Sequence, residues 1–169
     1  SARAKSKNID KYNEDRRELD KKITDEAVEY IDSQIDLKGH NSIIIYDENW
    51  HKGIVGIVAS RLTEKYFRPA IVLTKSGGLI SGSARSVPGF DMYKAIEACR
   101  DLLLNFGGHT YAAGLTLKEE NLDEFRRRFE AISFDEVKPK MMQPQIMIDA
   151  EISLNKITPK FVDDLLAFG

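Results

Sequence analysis

The chain has 169 residues, 42% hydrophobic and 31% charged, a globular balance that excludes wholesale disorder. A formal net charge of −2 excludes a uniformly basic coat for polyanions, and no apolar run approaches the ~20 residues that a membrane span needs. The single cysteine, Cys99, excludes an internal disulfide and a multi-cysteine metal site. With a charged N-terminus that lacks an apolar signal core, this makes a reducing cytoplasm the expected location.

Between Ile9 and Ile35 the apolar positions recur at helical spacing: Ile9, Tyr12, Leu19, Ile23, Ala27 and Tyr30 or Ile31. Charges fill the gaps, which predicts one long amphipathic helix, or two joined near Thr24. Such a stripe needs a partner surface, so the helix is expected to lie back on the following residues, to self-associate weakly, or to fray. Ile43 to Tyr46 is a short buried-strand run. Ile54, Ile57, Val58, Arg61 and Leu62 then trace a helix ending near Tyr66, with Arg61 on its apolar stripe. Ala70–Thr74 and Leu79–Ser86 read as strands joined by a Ser76-Gly77-Gly78 hairpin turn.

After Pro88-Gly89, Asp91 is placed to cap a helix carrying Ala95, Ile96, Cys99, Leu102 and Leu103. Gly107-Gly108 is expected to stop that helix. Ala112 to Leu117 reads as a strand, and Leu122, Phe125 and Phe129 stripe another helix. The expected fold class is α/β: a mixed β-sheet flanked by helices over residues 40–133, preceded by a linker helix at 1–36. Residues 134–169 are expected to hold a linker from Ser133 to Gln145, a strand at 146–151 and a helix starting at Thr158-Pro159. The stop on an apolar helix at Phe168-Gly169 reads as a truncation.

Three stretches could hold an anion. In Phe106-Gly107-Gly108-His109 the two glycines allow an αR–αL nest of backbone N–H groups, and the imidazole of His109 adds a donor. The competing reading is a glycine helix cap followed by a surface histidine. In Gly82-Ser83-Ala84-Arg85-Ser86, strand alternation puts Ser83 and Arg85 on one face, a hydroxyl beside a guanidinium fork. Pairing of Arg85 with a nearby carboxylate is the alternative there. In Trp50-His51-Lys52-Gly53-Ile54-Val55-Gly56, a helix N-terminus sits beside Lys52 and His51, although Gly56 also permits close helix packing.

Charge supports these stretches only weakly. Residues 40–118 hold nine Lys plus Arg against six Asp plus Glu. No Asp/His cluster has metal-ligand spacing, and there is no P-loop, Rossmann fingerprint or nucleophile elbow. The residues supply ways to hold phosphate and no evident way to activate water, which points to half of an active site.

In order and spacing, these features resemble the DHH-associated domain of the RecJ exonuclease family. The resemblance runs through His51–Leu62, Arg68-Pro69, Gly82–Ser86, Gly89-Phe90 and Phe106–Leu117, with the flank Asn13-Glu14-Asp15-Arg16-Arg17. It implies a parent enzyme that digests single-stranded DNA from the 5′ end with Mn²⁺ or Mg²⁺ bound by a catalytic DHH domain whose metal motifs this sequence lacks. DNA repair and recombination would be its setting. Single-strand-binding protein and a helicase are its implied partners.

On this chain the resemblance assigns Ser83, Arg85, Gly107, Gly108 and His109 as substrate contacts, with His51, Arg61 and Ser86 as further ones. Arg85 and His109 are expected to clamp one phosphate or two adjacent ones. No catalytic residue and no metal ligand is expected here, so the chain alone should be inert as a nuclease. The alternatives are an oligoribonuclease or cyclic-dinucleotide phosphodiesterase of the same superfamily, and a non-enzymatic RNA-binding module.

Overall fold

A computed structural model describes residues 2–144, 148 and 150–167, with residues 2–15 described by backbone alone. The N-terminal stripe forms a single helix, α1 (Ala2–Gln34), without a break at Thr24. The elements β1 (Ile43–Tyr46), α2 (Val55–Tyr66), β2 (Ala70–Ser76) and β3 (Leu79–Arg85) follow where the periodicity predicts them. Gly77 and Gly78 take φ values of 60° and 78°, the paired positive φ of a tight hairpin turn that glycine adopts without strain. Asp91 caps α3 (Met92–Glu97), its carboxylate accepting from the Lys94 N–H.

Here the structure departs from expectation. The helix ends at Glu97, one 3₁₀ turn spans Arg100–Leu102, and Leu103–His109 is a strand, β4. It pairs antiparallel with β5 (Ala112–Leu117) across the two-residue loop Thr110-Tyr111. Gly107 and Gly108 therefore lie inside a strand and do not stop a helix. The αR–αL nest expected of them does not form, because both are tied into the ladder opposite Gly114 and Ala113. Helix α4 (Leu122–Glu136) runs through Ser133, where a linker was expected. Val137 and the 3₁₀ turn Pro139–Met141 still pack on the core. The strand expected at 146–151 falls largely outside the described residues. Helix α5 (Pro159–Leu166) starts at Thr158, whose hydroxyl accepts from the Phe161 N–H at 3.2 Å.

The sheet has the order β1-β2-β3-β5-β4; only β1–β2 is parallel. One face carries Ile71, Leu73, Ile80, Ala84, Ala113, Leu115 and Leu117 and is covered by α3 and α4. The opposite face is covered over β1 and β2, where Ile43, Ile45, Ala70 and Val72 pack under α2 and the second half of α1. Helix α2 also reaches over β3, where its Gly56 packs against Ser83 and Arg85, while among the described residues nothing similar lies over β5 and β4. The amphipathic logic explains the difference. On that face β5 and β4 present Ala112, Gly114, Thr116, Asn105, Gly107 and His109, which offer a helix little apolar surface to bury, beside Ser81, Ser83 and Arg85 of β3.

Helix α1 is fastened to the domain by its buried Ile23, Ala27 and Ile31 and by three polar ties. Arg61 donates to Asp20 at 2.6 Å, Trp50 Nε1 to Glu26 at 3.1 Å, and the Tyr66 hydroxyl to Asp32 at 2.7 Å. Asp20 is 6% exposed, so removing Arg61 strands a desolvated carboxylate. Arg61→Ala is expected to cost about 1–2 kcal/mol, discounted because the arginine side chain is itself half-exposed. Limited proteolysis would report it as faster cleavage within α1. Unchanged cleavage would show that the apolar contacts alone hold the helix.

Candidate functional site

The antiparallel ladder aligns the residues of this face in rows across three strands. His109, Ala112 and Arg85 form one row, Gly107, Gly114 and Ser83 the next, and Asn105, Thr116 and Ser81 the third. Directly opposed residues share a face, so the register alone assigns Arg85, Ser83 and His109 to the same side of the sheet. His109, the last residue of β4, also borders a hollow beside α3.

Arg85 leans toward the first turn of α2. A side chain at Gly56 would meet its Nη2 at 3.2 Å and the Ser83 Oγ at 3.3 Å. Gly56 thus leaves room for the Ser83–Arg85 pair as well as for close packing. Arg85 Nη1 donates to the Ala84 carbonyl at 2.8 Å, and among the described residues it forms no ion pair with a carboxylate. It borders a hollow of about 470 Å³ together with Arg16, Gly53, Ser60, Arg61 and Glu64. That is a suitable place for an anion.

His109 is exposed, and its Nδ1 accepts from the Tyr111 N–H at 3.3 Å. In the neutral ring this fixes the proton on Nε2, facing outward as a donor. His51 is arranged alike, with Nδ1 accepting from the Gly53 N–H at 3.1 Å. Between Arg85 and His109 lies the whole of β5, about 10 Å from backbone to backbone. The two side chains line separate hollows, His109 with Asp91, Tyr93 and Lys94. As built they share no common hollow.

Two further residues carry internal roles. The Arg61 fork is committed to Asp20, the buried partner that its place on the helix stripe required. Ser86 turns off the open face, its hydroxyl donating to the carbonyls of Val87 at 3.1 Å and Phe90 at 2.6 Å. Gly108, with φ of +151°, has a packing reason to be glycine: a Cβ would lie 2.3 Å from the Ala112 carbonyl oxygen. Gly107 has no such reason, for a Cβ there would meet open space.

Sequence reasoning missed Ser81, Asn105 and Thr116, and did not place them with Lys52 and Gly114. They line a second hollow, of about 410 Å³, over the glycine row. The pairing of β4 with β5 would have revealed them, since it sets Gly107 opposite Gly114 and Asn105 opposite Thr116. A larger hollow, of about 510 Å³, lies on the far β1 side among Tyr30, Ile35, His40, Ile44 and Arg126. Its Glu130 carboxylate is already occupied by the Asn41 and Ser42 N–H groups and the Ser42 hydroxyl, which marks it as a structural tie.

Nucleophilic chemistry finds little support in this set. Cys99 is buried, and desolvation pushes its thiol up to about 11, so it stays protonated and out of reach. What the face offers is grip: a guanidinium, hydroxyls, imidazole N–H and bare backbone.

Residues 39–133 match the DHHA1 domain family. The chain belongs to that family. Over 160 residues this DHHA1 chain is 36% identical to the single-stranded-DNA-specific exonuclease RecJ of Bacillus subtilis, covering 93% of its own length and 20% of that protein. It is 33% identical over 166 residues to the RecJ of Escherichia coli, covering 28% of it. Among solved structures it is similar to RecJ of Thermus thermophilus in complex with Mg²⁺, with TM-score 0.67 and 30% identity over 76% of this chain and 19% of the other. It is also similar to an exonuclease RecJ bound to manganese, with TM-score 0.71 and 28% identity over 83% of this chain and 34% of that one.

The chain thus spans between a fifth and about a third of the proteins it matches. Among the described residues no group of three or more His, Cys, Asp or Glu could hold a metal ion. The described residues of this DHHA1 chain therefore do not fit the Mg²⁺ or manganese named in those structures. No described helix is long and apolar enough to cross a membrane.

Proposed function

We propose that this chain is the substrate-holding part of a single-strand-specific exonuclease acting in DNA repair and recombination in a reducing cytoplasm. The observation that carries the proposal is Arg85, a guanidinium without a carboxylate partner among the described residues, beside Ser83 under the first turn of α2, where the covered part of the sheet gives way to the bare β5 and β4. The similarity to RecJ supplies the substrate class, single-stranded DNA.

In this reading a strand crosses the open face of β3, β5 and β4. Ser83 and Arg85 hold one phosphate, and the His109 Nε2–H holds a neighbouring one. Gly107 lets the strand approach the backbone, and His51 and Lys52 flank its path. Hydrolysis belongs to a metal-bearing domain of the parent enzyme, against which this face forms the opposite wall of a groove.

Phosphate contacts of this kind are dominated by counterion release, which contributes about −0.7 per phosphate to the log–log salt slope on single strands. Fluorescence anisotropy with a 3′-labelled oligothymidylate, free of metal, is expected to show weak binding with a slope of roughly −1 to −3. Salt-independent, tight binding would contradict the phosphate grip. With Mn²⁺ added, the chain alone is expected to release no mononucleotides. Release that survives repurification would contradict the division of labour.

A further inference from the structure

We propose that the hollow over Gly107 and Gly114 is a nucleoside subsite, in which the sugar and base of a phosphate-held nucleotide lie flat on bare β-sheet. There Asn105 and Thr116, backed by the buried Ser81, meet the edge of that nucleoside. The inference rests on the phosphate-holding reading of this face and adds to it what happens between the phosphates.

Packing does not require glycine at two positions on this face. A Cβ on Gly107 would meet nothing within 4 Å, and one on Gly114 only the Gly82 carbonyl oxygen at an ordinary 3.7 Å. Neither has a positive φ. Glycine inside a strand is nonetheless costly, because it surrenders more chain entropy than any other residue and packs nothing. Gly82 and Gly108 differ, since side chains there would strike backbone at 2.3 Å. The unforced pair sits side by side on neighbouring strands, so together they open a flat floor two strands wide.

The rows bordering that floor have different chemistry. On one side stand Arg85 and His109, donors suited to phosphate. On the other stand the Asn105 amide and the Thr116 and Ser81 hydroxyls, which are 3.3 Å apart. These are neutral groups with both donors and acceptors. A nucleotide has the same polarity, anionic at the phosphate and neutral but hydrogen-bonding along the base edge and sugar. Phosphate contacts set position, while contacts to the base edge are those able to specify. The hollow of about 410 Å³ spans this floor, the neutral row and Lys52 at its margin. A duplex could not lay a base on the floor, since its bases are stacked and paired. A single strand could.

The test compares binding of the 169-residue chain to two metal-free 3′-labelled strands, an oligothymidylate and an all-abasic strand of equal length. The wild-type chain is expected to prefer the thymidylate by roughly tenfold, the value of one good contact set. Gly107→Ala and Asn105→Ala should keep the wild-type melting temperature and lose most of that preference. Arg85→Ala should weaken both strands alike and keep the preference. If Gly107→Ala and Asn105→Ala retain the full preference while Arg85→Ala weakens both strands, the nucleoside subsite is overturned and the phosphate grip stands. If the wild-type chain binds neither strand, the underlying reading fails first.

Discussion

Gly108→Ala is expected to destabilise the chain by about 3 kcal/mol or more, while Gly107→Ala beside it should be neutral or slightly stabilising. The difference lies in what each added carbon meets. At Gly108 it would sit 2.3 Å from the Ala112 carbonyl oxygen and 2.5 Å from the Ala113 Cα, at a φ of +151° that L-residues avoid. Both obstacles are backbone in the β4–β5 ladder, so neither can swing aside. At Gly107 the added carbon enters open space and recovers some of the entropy that glycine forfeits. In a thermal melt the first variant should lose roughly 6–12 °C. Equal melting temperatures for the two would mean that β4 is not paired to β5 as described.

The second large effect concerns affinity. Arg85→Ala and His109→Ala are each expected to weaken single-strand binding roughly tenfold, the usual scale for a lost charge-assisted contact. Because β5 separates the two residues by about 10 Å, their losses should add to within about 0.5 kcal/mol in the double variant. Strong non-additivity would mean that one phosphate bridges both. Arg85→Lys should rescue only part of the loss, since an ammonium lacks the fork that grips two oxygens.

Much of this fold is legible in the amino-acid sequence, because most elements carry local signals. Ile43–Tyr46 and Ala70–Thr74 are β-branched runs, Ser76-Gly77-Gly78 has turn chemistry, and α2 and α4 show clean 3.6-residue stripes. Strand β4 was illegible for a physical reason. Leu102, Leu103 and Leu104 continue the spacing of the preceding helix, and Gly107-Gly108 then has the composition of a helix stop. What makes Leu103–His109 a strand is pairing with β5 through a Thr110-Tyr111 loop that lacks the usual glycine or asparagine. Tertiary pairing thereby overrides local preference.

The candidate site was legible to the same extent. Ser83, Arg85, Gly107 and His109 stand out in the chain, and their common face follows once the register is known. The partner that occupies Arg61 is 41 residues away on α1, and no local pattern announces it. Ser86 is adjacent to Arg85, but strand alternation turns it toward the Val87 and Phe90 carbonyls. The neutral row of Asn105, Thr116 and Ser81 exists only because three strands bring it together.

The central claim is that a single strand lies on the open face of β3, β5 and β4. It is tested most directly by following backbone amide resonances while a metal-free oligothymidylate is titrated in. The account predicts that the largest shifts fall on residues 81–85, 105–109 and 112–116, with smaller ones at 51–56. Shifts concentrated instead around His40, Arg126 and Glu130, beyond the opposite edge of the sheet, would contradict it.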